Sequence, residues 1–137
     1  MNINMICLFY ILLTIFGLIL ADPPKLDELK ASRTINNGSR FSISCAIVTG
    51  TKPFQFEWRF NDELLPNPST DYRIDSIDDE QSLFIIPHVK PINSGQYSCI
   101  VRNDYGYDRQ STRLMVTGLH FHLSTMCGAY LHYLKIY

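Results

Sequence analysis

The sequence has no excess of positive charge: 12 Lys+Arg stand against 13 Asp+Glu, a formal net charge of −1. A chain without a positive field has nothing to draw a polyanion, so nucleic acid is excluded as its main partner. It also lacks the length for two domains, since 137 residues supply one hydrophobic core. It lacks the composition of a disordered chain: 8 Phe, 8 Tyr and one Trp are ample material for a core. No stretch holds a convincing helical period, which removes the helical classes. Finally, Met1 to Ala21 contains no charged side chain at all.

That first absence of charge is accompanied by an almost unbroken apolar run from Met5 to Leu20, which ends at small Ala21 just before Asp22-Pro23-Pro24. The run is short for a hydrocarbon core of roughly 30 Å. It reads as a secretory signal peptide over residues 1–21, although its amino end lacks the usual Lys or Arg. An uncleaved anchor is the alternative. Export places residues 22–137 in an oxidising compartment, where paired cysteines become disulfides. Cys7 leaves with the leader, so Cys45, Cys99 and Cys127 remain, and one of three is left over.

Residues 22–117 show the two-residue period of half-buried strands. In Phe41-Ser42-Ile43-Ser44-Cys45-Ala46-Ile47 the apolar residues fall at odd positions; in Phe54-Gln55-Phe56-Glu57-Trp58-Arg59-Phe60 they fall at even ones. Further strands are expected at Lys25 to Leu29, Thr34 to Ile35, Glu63 to Leu64, Tyr72 to Ile77, Ser82 to Ile86, Gln96 to Asn103 and Tyr107 to Val116. Turn chemistry lies between them, at Asn37-Gly38, Gly50 to Pro53, Pro66-Asn67-Pro68, Asp78-Asp79, Asn93-Ser94-Gly95 and Tyr105-Gly106. Many short strands in one domain mean an all-β antiparallel sandwich or barrel. Alternation assigns Phe41, Ile43, Phe56, Leu83, Ile85, Val89, Val101, Leu114 and Val116 to the core, and so points Phe84 and Ile86 outward as candidate interface residues.

Trp58 lies on the strand after Cys45, and Tyr97 stands two residues before Cys99 in Asn93-Ser94-Gly95-Gln96-Tyr97-Ser98-Cys99. This set resembles the immunoglobulin superfamily. Ser82 to Val89 and Asn103-Asp104-Tyr105-Gly106 are similar to its I-set branch, and Gly50 to Trp58 with Asn61-Asp62 is similar to Dscam and its arthropod relatives. The resemblance implies a Greek-key immunoglobulin-like β-sandwich over residues 22–117, with one inter-sheet disulfide between Cys45 and Cys99. Trp58 would pack on that bond, Tyr97 would form a corner to nearby backbone, and Gly95 would supply the turn geometry a side chain would hinder. Closing the loop would limit the unfolded ensemble by roughly 4 kcal/mol. One departure is Asn93 where the family usually has Asp, paired with a strand D arginine for which Arg73 is the counterpart; the ion pair is then absent.

The resemblance implies an extracellular protein-binding module of a cell-adhesion or recognition receptor, homophilic or binding another immunoglobulin-superfamily protein, with roles in neuronal adhesion and axon guidance. A secreted single-domain relative in soluble, immune-type recognition is the alternative. Membrane association is expected only as part of a longer receptor. Outward positions on the second sheet are Gln55, Glu57, Arg59, Ser98, Ile100, Arg102, Arg113 and Met115, a mixed-sign face. Asn37-Gly38-Ser39 is an acceptable glycosylation sequon, whereas Asn67-Pro68-Ser69 carries the forbidden Pro. Catalysis is not expected: His88 is the sole His of residues 22–117, and no nucleophile, base and orienter stand together. No cofactor is expected either. The last segment, 118–137, is rich in His, Tyr and Leu without strand alternation and is read as a tail of uncertain origin, from a truncated or mis-spliced gene model. His120, His122, Cys127 and His132 have no scaffold that would fix a metal site.

Overall fold

A computed structural model describes residues 21–118. The leader read at residues 1–21 (but for Ala21) and the tail (but for Gly118), with Cys7, Cys127, His120, His122 and His132, lie outside the described residues. Among the described residues nine strands form two sheets: β1 (Lys25–Leu26), β2 (Ser32–Asn36), β3 (Phe41–Thr49), β4 (Gln55–Phe60), β5 (Glu63–Leu64), β6 (Arg73–Ser76), β7 (Gln81–Ile86), β8 (Gly95–Asn103) and β9 (Gly106–Thr117), with one 3-10 turn at Pro91–Asn93 before β8. One sheet has the order β1-β3-β7-β6, the other β2-β9-β8-β4-β5. All pairings are antiparallel except β2 with β9. Consecutive strands β3 and β4, and again β7 and β8, lie in different sheets, so the chain crosses the sandwich in the Greek-key manner.

The core forms where the inner faces meet. Phe41, Ile43 and Cys45 of β3 face Trp58 of β4, Tyr97, Cys99 and Val101 of β8 and Leu114 of β9. Cys45 and Cys99 are bonded across the layers with Cα atoms 6.3 Å apart, closing a sequence separation of 54 residues. Trp58 stands opposite Cys99 in the β4–β8 register and is 2% exposed, so the indole and the bond shield each other from water. Phe56 and Val116 are half-buried against this cluster, as alternation predicts for inward positions near strand ends.

Strand β7 corrects the sequence expectation. Phe84 and Ile86 were expected to point outward, but they are 0% and 2% exposed and belong to the central cluster. The reason is register: β7 pairs with β3 so that Phe84 opposes Ile43, Ile86 opposes Phe41 and Ser82 opposes Cys45. Residues directly opposite in an antiparallel pair share a face, so the inward face of β3 dictates the inward face of β7. Leu83 is then outward and half-buried, and Ile85, though 3% exposed, pairs with Ser42 and Arg73 outside the central cluster. Phe84 is the hub of the aromatic packing, with its ring 5.5 Å from Trp58, 5.3 Å from Tyr72 and 5.2 Å from Tyr97. Rings at these separations contribute about 0.5–1.5 kcal/mol per pair beyond area burial.

Candidate binding surface

The signature residues occupy the base of this surface. Tyr97 donates its hydroxyl to the Asn93 carbonyl at 2.8 Å, and burial pushes that hydroxyl's pKa well above the usual tyrosine value. Asn93 does not meet Arg73. Its Oδ1 accepts from the Lys90 amide at 2.7 Å, while Arg73 pairs with Asp75 at 2.8 Å. Gly95 corrects the reason given for it: a Cβ there would lie 2.4 Å from the Phe60 ring and 2.7 Å from Asn61 Oδ1. The glycine is required by close approach, which lets Asn61 Oδ1 accept the Gln96 amide at 2.9 Å.

Above these residues lies the outer face of β4, β8 and β9. Cys99 and Trp58 point inward, so their neighbours Ser98, Ile100, Glu57 and Arg59 point outward. Register then sets rows across the three strands: Gln55-Arg102-Tyr107, Glu57-Ile100-Arg109 and Arg59-Ser98-Ser111. Arg59 bonds Glu57 at 2.5 Å and reaches the Asp62 carbonyl at 3.1 Å. Arg109 pairs with the Asp62 carboxylate and donates to Ser98 Oγ at 2.9 Å, and Ser98 Oγ meets Ser111 Oγ at 2.9 Å. Ser98 and Ile100 are therefore outward as expected yet only 1% and 4% exposed, lying under cross-strand neighbours that include the arginines. Long side chains lay their stems over a sheet while keeping their charge in water.

The end of this face is its most apolar exposed part. Tyr105 and Tyr107 of the β8–β9 hairpin are 54% and 64% exposed, and the Arg102 guanidinium lies 5.1 Å from the Tyr107 ring centre. Asn103 holds the hairpin in place. Its Nδ2 donates to the carbonyls of Asp22 and Thr51, both at 2.8 Å, and its Oδ1 accepts the amides of Tyr105 at 2.9 Å and Gly106 at 3.0 Å. One amide side chain thus joins the hairpin, the amino-terminal segment and the β3–β4 turn. Sequence reasoning missed Asn103 because its partners come from three distant segments. It also missed Tyr107 as an exposed anchor, although odd positions in β9 face away from inward Leu114, and that parity marks Tyr107 as outward.

A cleft of about 560 Å³ runs along the side of the sandwich between Phe60, Leu65, Tyr72, Phe84 and Ile86, with Asp71, His88 and Lys90 on its rim. Among the described residues no three metal-ligating side chains converge, and no helix is long and apolar enough to cross a membrane.

A disulfide-bonded two-sheet sandwich with Trp58 on the bond and a Tyr97 corner defines the immunoglobulin class of domain. The Immunoglobulin I-set domain model matches residues 24–116, and the chain belongs to that family. It is 33% identical over 100 residues to mouse (Mus musculus) myopalladin, covering 73% of this chain and 7% of that protein. It is 31% identical over 94 residues to chicken (Gallus gallus) cell adhesion molecule DSCAM, covering 69% of this chain and 4% of that one. The chain therefore spans only a small part of the curated relatives it matches. The solved Ig7 domain of Dscam1, isoform 5, superposes with a TM-score of 0.66 at 22% identity over 71% of this chain and 99% of that one, which shows the fold. The I-set family resembled in the sequence is thus shown, and a Dscam protein is among the relatives the chain is similar to. The relatives it is similar to include both adhesion molecules and muscle proteins.

Proposed function

We propose that this chain supplies an extracellular protein-binding immunoglobulin module of a cell-adhesion or recognition receptor, exported by residues 1–21. Its partner is a second copy or another immunoglobulin-superfamily protein, engaged through the Tyr105–Tyr107 hairpin and the adjoining outer face of β4, β8 and β9. The observation that carries the reading is the buried Cys45–Cys99 bond, because such bonds persist in oxidising compartments and are reduced in the cytosol. The hairpin supports the choice of surface: tyrosine and arginine are the residue types enriched in interface hot spots, and here they are stacked and exposed. The face also carries both signs, with Arg59, Arg102 and Arg109 beside Glu57 and Asp62. A surface that meets itself about a two-fold axis needs such self-complementarity. Neuronal adhesion and axon guidance are the roles that similarity to Dscam adds.

An intracellular muscle-type domain is the second reading, favoured by the identity to myopalladin. Bead aggregation with purified residues 22–117 tests the binding half of the proposal. The wild-type domain is expected to aggregate beads, and Tyr107→Asp, at an exposed position, is expected to abolish aggregation while leaving the melting temperature unchanged. Absence of aggregation and of a dimer in sedimentation would exclude homophilic binding by this domain.

A further inference from the structure

The turn between β2 and β3 places the Asn37-Gly38-Ser39 sequon at the end of the sandwich remote from the tyrosine hairpin, and its geometry leaves the acceptor amide uncommitted. The Asn37 amide donates to the Thr117 carbonyl at 2.7 Å, the Gly38 amide to the Val89 carbonyl at 2.7 Å and the Ser39 amide to the Asn36 carbonyl at 3.0 Å. His88 Nδ1 lies 3.1 Å from the Gly38 carbonyl, and Thr117 Oγ1 donates to Asn36 Oδ1 at 3.1 Å. All of these bonds use backbone atoms or the side chains of His88, Asn36 and Thr117, so none engages Asn37 Nδ2 or Ser39 Oγ. Asn37, Gly38 and Ser39 are all exposed. Gly38 has φ +81°, and a Cβ built there would meet nothing within 4 Å, so the space over the turn is open. By contrast, Asn67-Pro68-Ser69 is exposed at Asn67 but carries the residue that bars the reaction.

We infer that Asn37 is an N-glycosylation site whose oligosaccharide covers the pole where β9 leaves the domain. In the reaction, Asn37 Nδ2 forms a bond to the anomeric carbon of a lipid-diphosphate-linked oligosaccharide. The bond from that carbon to the diphosphate oxygen breaks, the lipid diphosphate leaves with the electron pair, and the amide nitrogen gives up one proton to a base of the transferase. The glycan then sits beside Thr117 and Gly118, with Gly118 so near that a Cβ on it would lie 3.9 Å from the Asn37 backbone nitrogen. Strand β9 runs the length of the domain from Gly106 to Thr117. At about 3.3 Å per residue it separates the glycan from the hairpin by roughly 36 Å. The modification therefore leaves the proposed binding end clear while restricting what packs at the opposite pole.

This inference rests on the export reading, and the test separates the two. The full chain is expressed in eukaryotic cells with its own leader and, in parallel, with a proven export signal ahead of Asp22. Each secreted product is treated with an N-glycan amidase and its mass compared before and after. The expected result is loss of one glycan mass from both products, no change in Asn37→Gln, and retention in Ser39→Thr. A mass change behind the borrowed signal alone would overturn the export reading and leave the acceptor site standing. An unmodified product secreted from both arms would overturn the site.

Discussion

Strands β4 and β7 face each other across the core, each six residues long, with Trp58 and Phe84 in ring contact at 5.5 Å. In β4 a polar residue stands at every second position, so the inward face is legible without a partner. In β7 the run Leu83-Phe84-Ile85-Ile86 is apolar on both faces, and its phase comes only from pairing with β3. The difference shows that alternation fixes a face only where one face is polar. The inward position that breaks the pattern is Ser82, whose hydroxyl accepts the Trp58 indole N–H at 3.0 Å. A small polar residue at a core position has a specific task here: it satisfies the one polar atom of the largest core side chain.

Substitution on β7 breaks this comparison most sharply. Phe84→Asp places a charge in the aromatic hub and is expected to cost more than about 5 kcal/mol, enough to unfold the domain, because lost burial and an unpaired buried charge add. Leu83→Ser on the other face is expected to cost under about 1.5 kcal/mol. Urea denaturation of both variants checks the pair, and equal losses would mean that the phase of β7 is wrong. Ser82→Ala should cost about 1–3 kcal/mol by leaving the indole N–H buried without an acceptor, read in the same titration. On β4 the smallest change is expected. Arg59→Ala removes partly exposed ion-pair and carbonyl contacts, and should lower stability by about 0.2–1 kcal/mol, an effect that shrinks in high salt.

The same contrast explains what could be read from residues alone. The cysteines, Trp58 and Tyr97 stood on strands of clear phase, and their pairing and tasks came from the resemblance to the immunoglobulin family. Strand positions followed from alternation and turn chemistry, apart from ends such as Lys25 to Leu29, which keeps strand form only over Lys25–Leu26. Gly95 was named for the wrong reason, since its constraint comes from the Phe60 ring brought in by β4. Asn103 was invisible because its role exists only once three segments converge. Arg73 makes no ion pair with Asn93, as the missing Asp led one to expect, and bonds instead to Asp75, two residues along on the same face of β6. The candidate surface moved from β7 to the β8–β9 hairpin for one physical reason, the register of a doubly apolar strand.

Adhesion and muscle relatives share this sandwich, so fold alone does not separate the two functional readings. The redox state of the central cysteines does, because it reports the compartment in which the domain matures. The most direct measurement is non-reducing peptide mapping of the full chain expressed in eukaryotic cells, comparing medium with cell lysate. The account predicts chain in the medium that begins at Asp22 and yields a linked peptide pair containing Cys45 and Cys99. Chain confined to the lysate, with both thiols free, would contradict it.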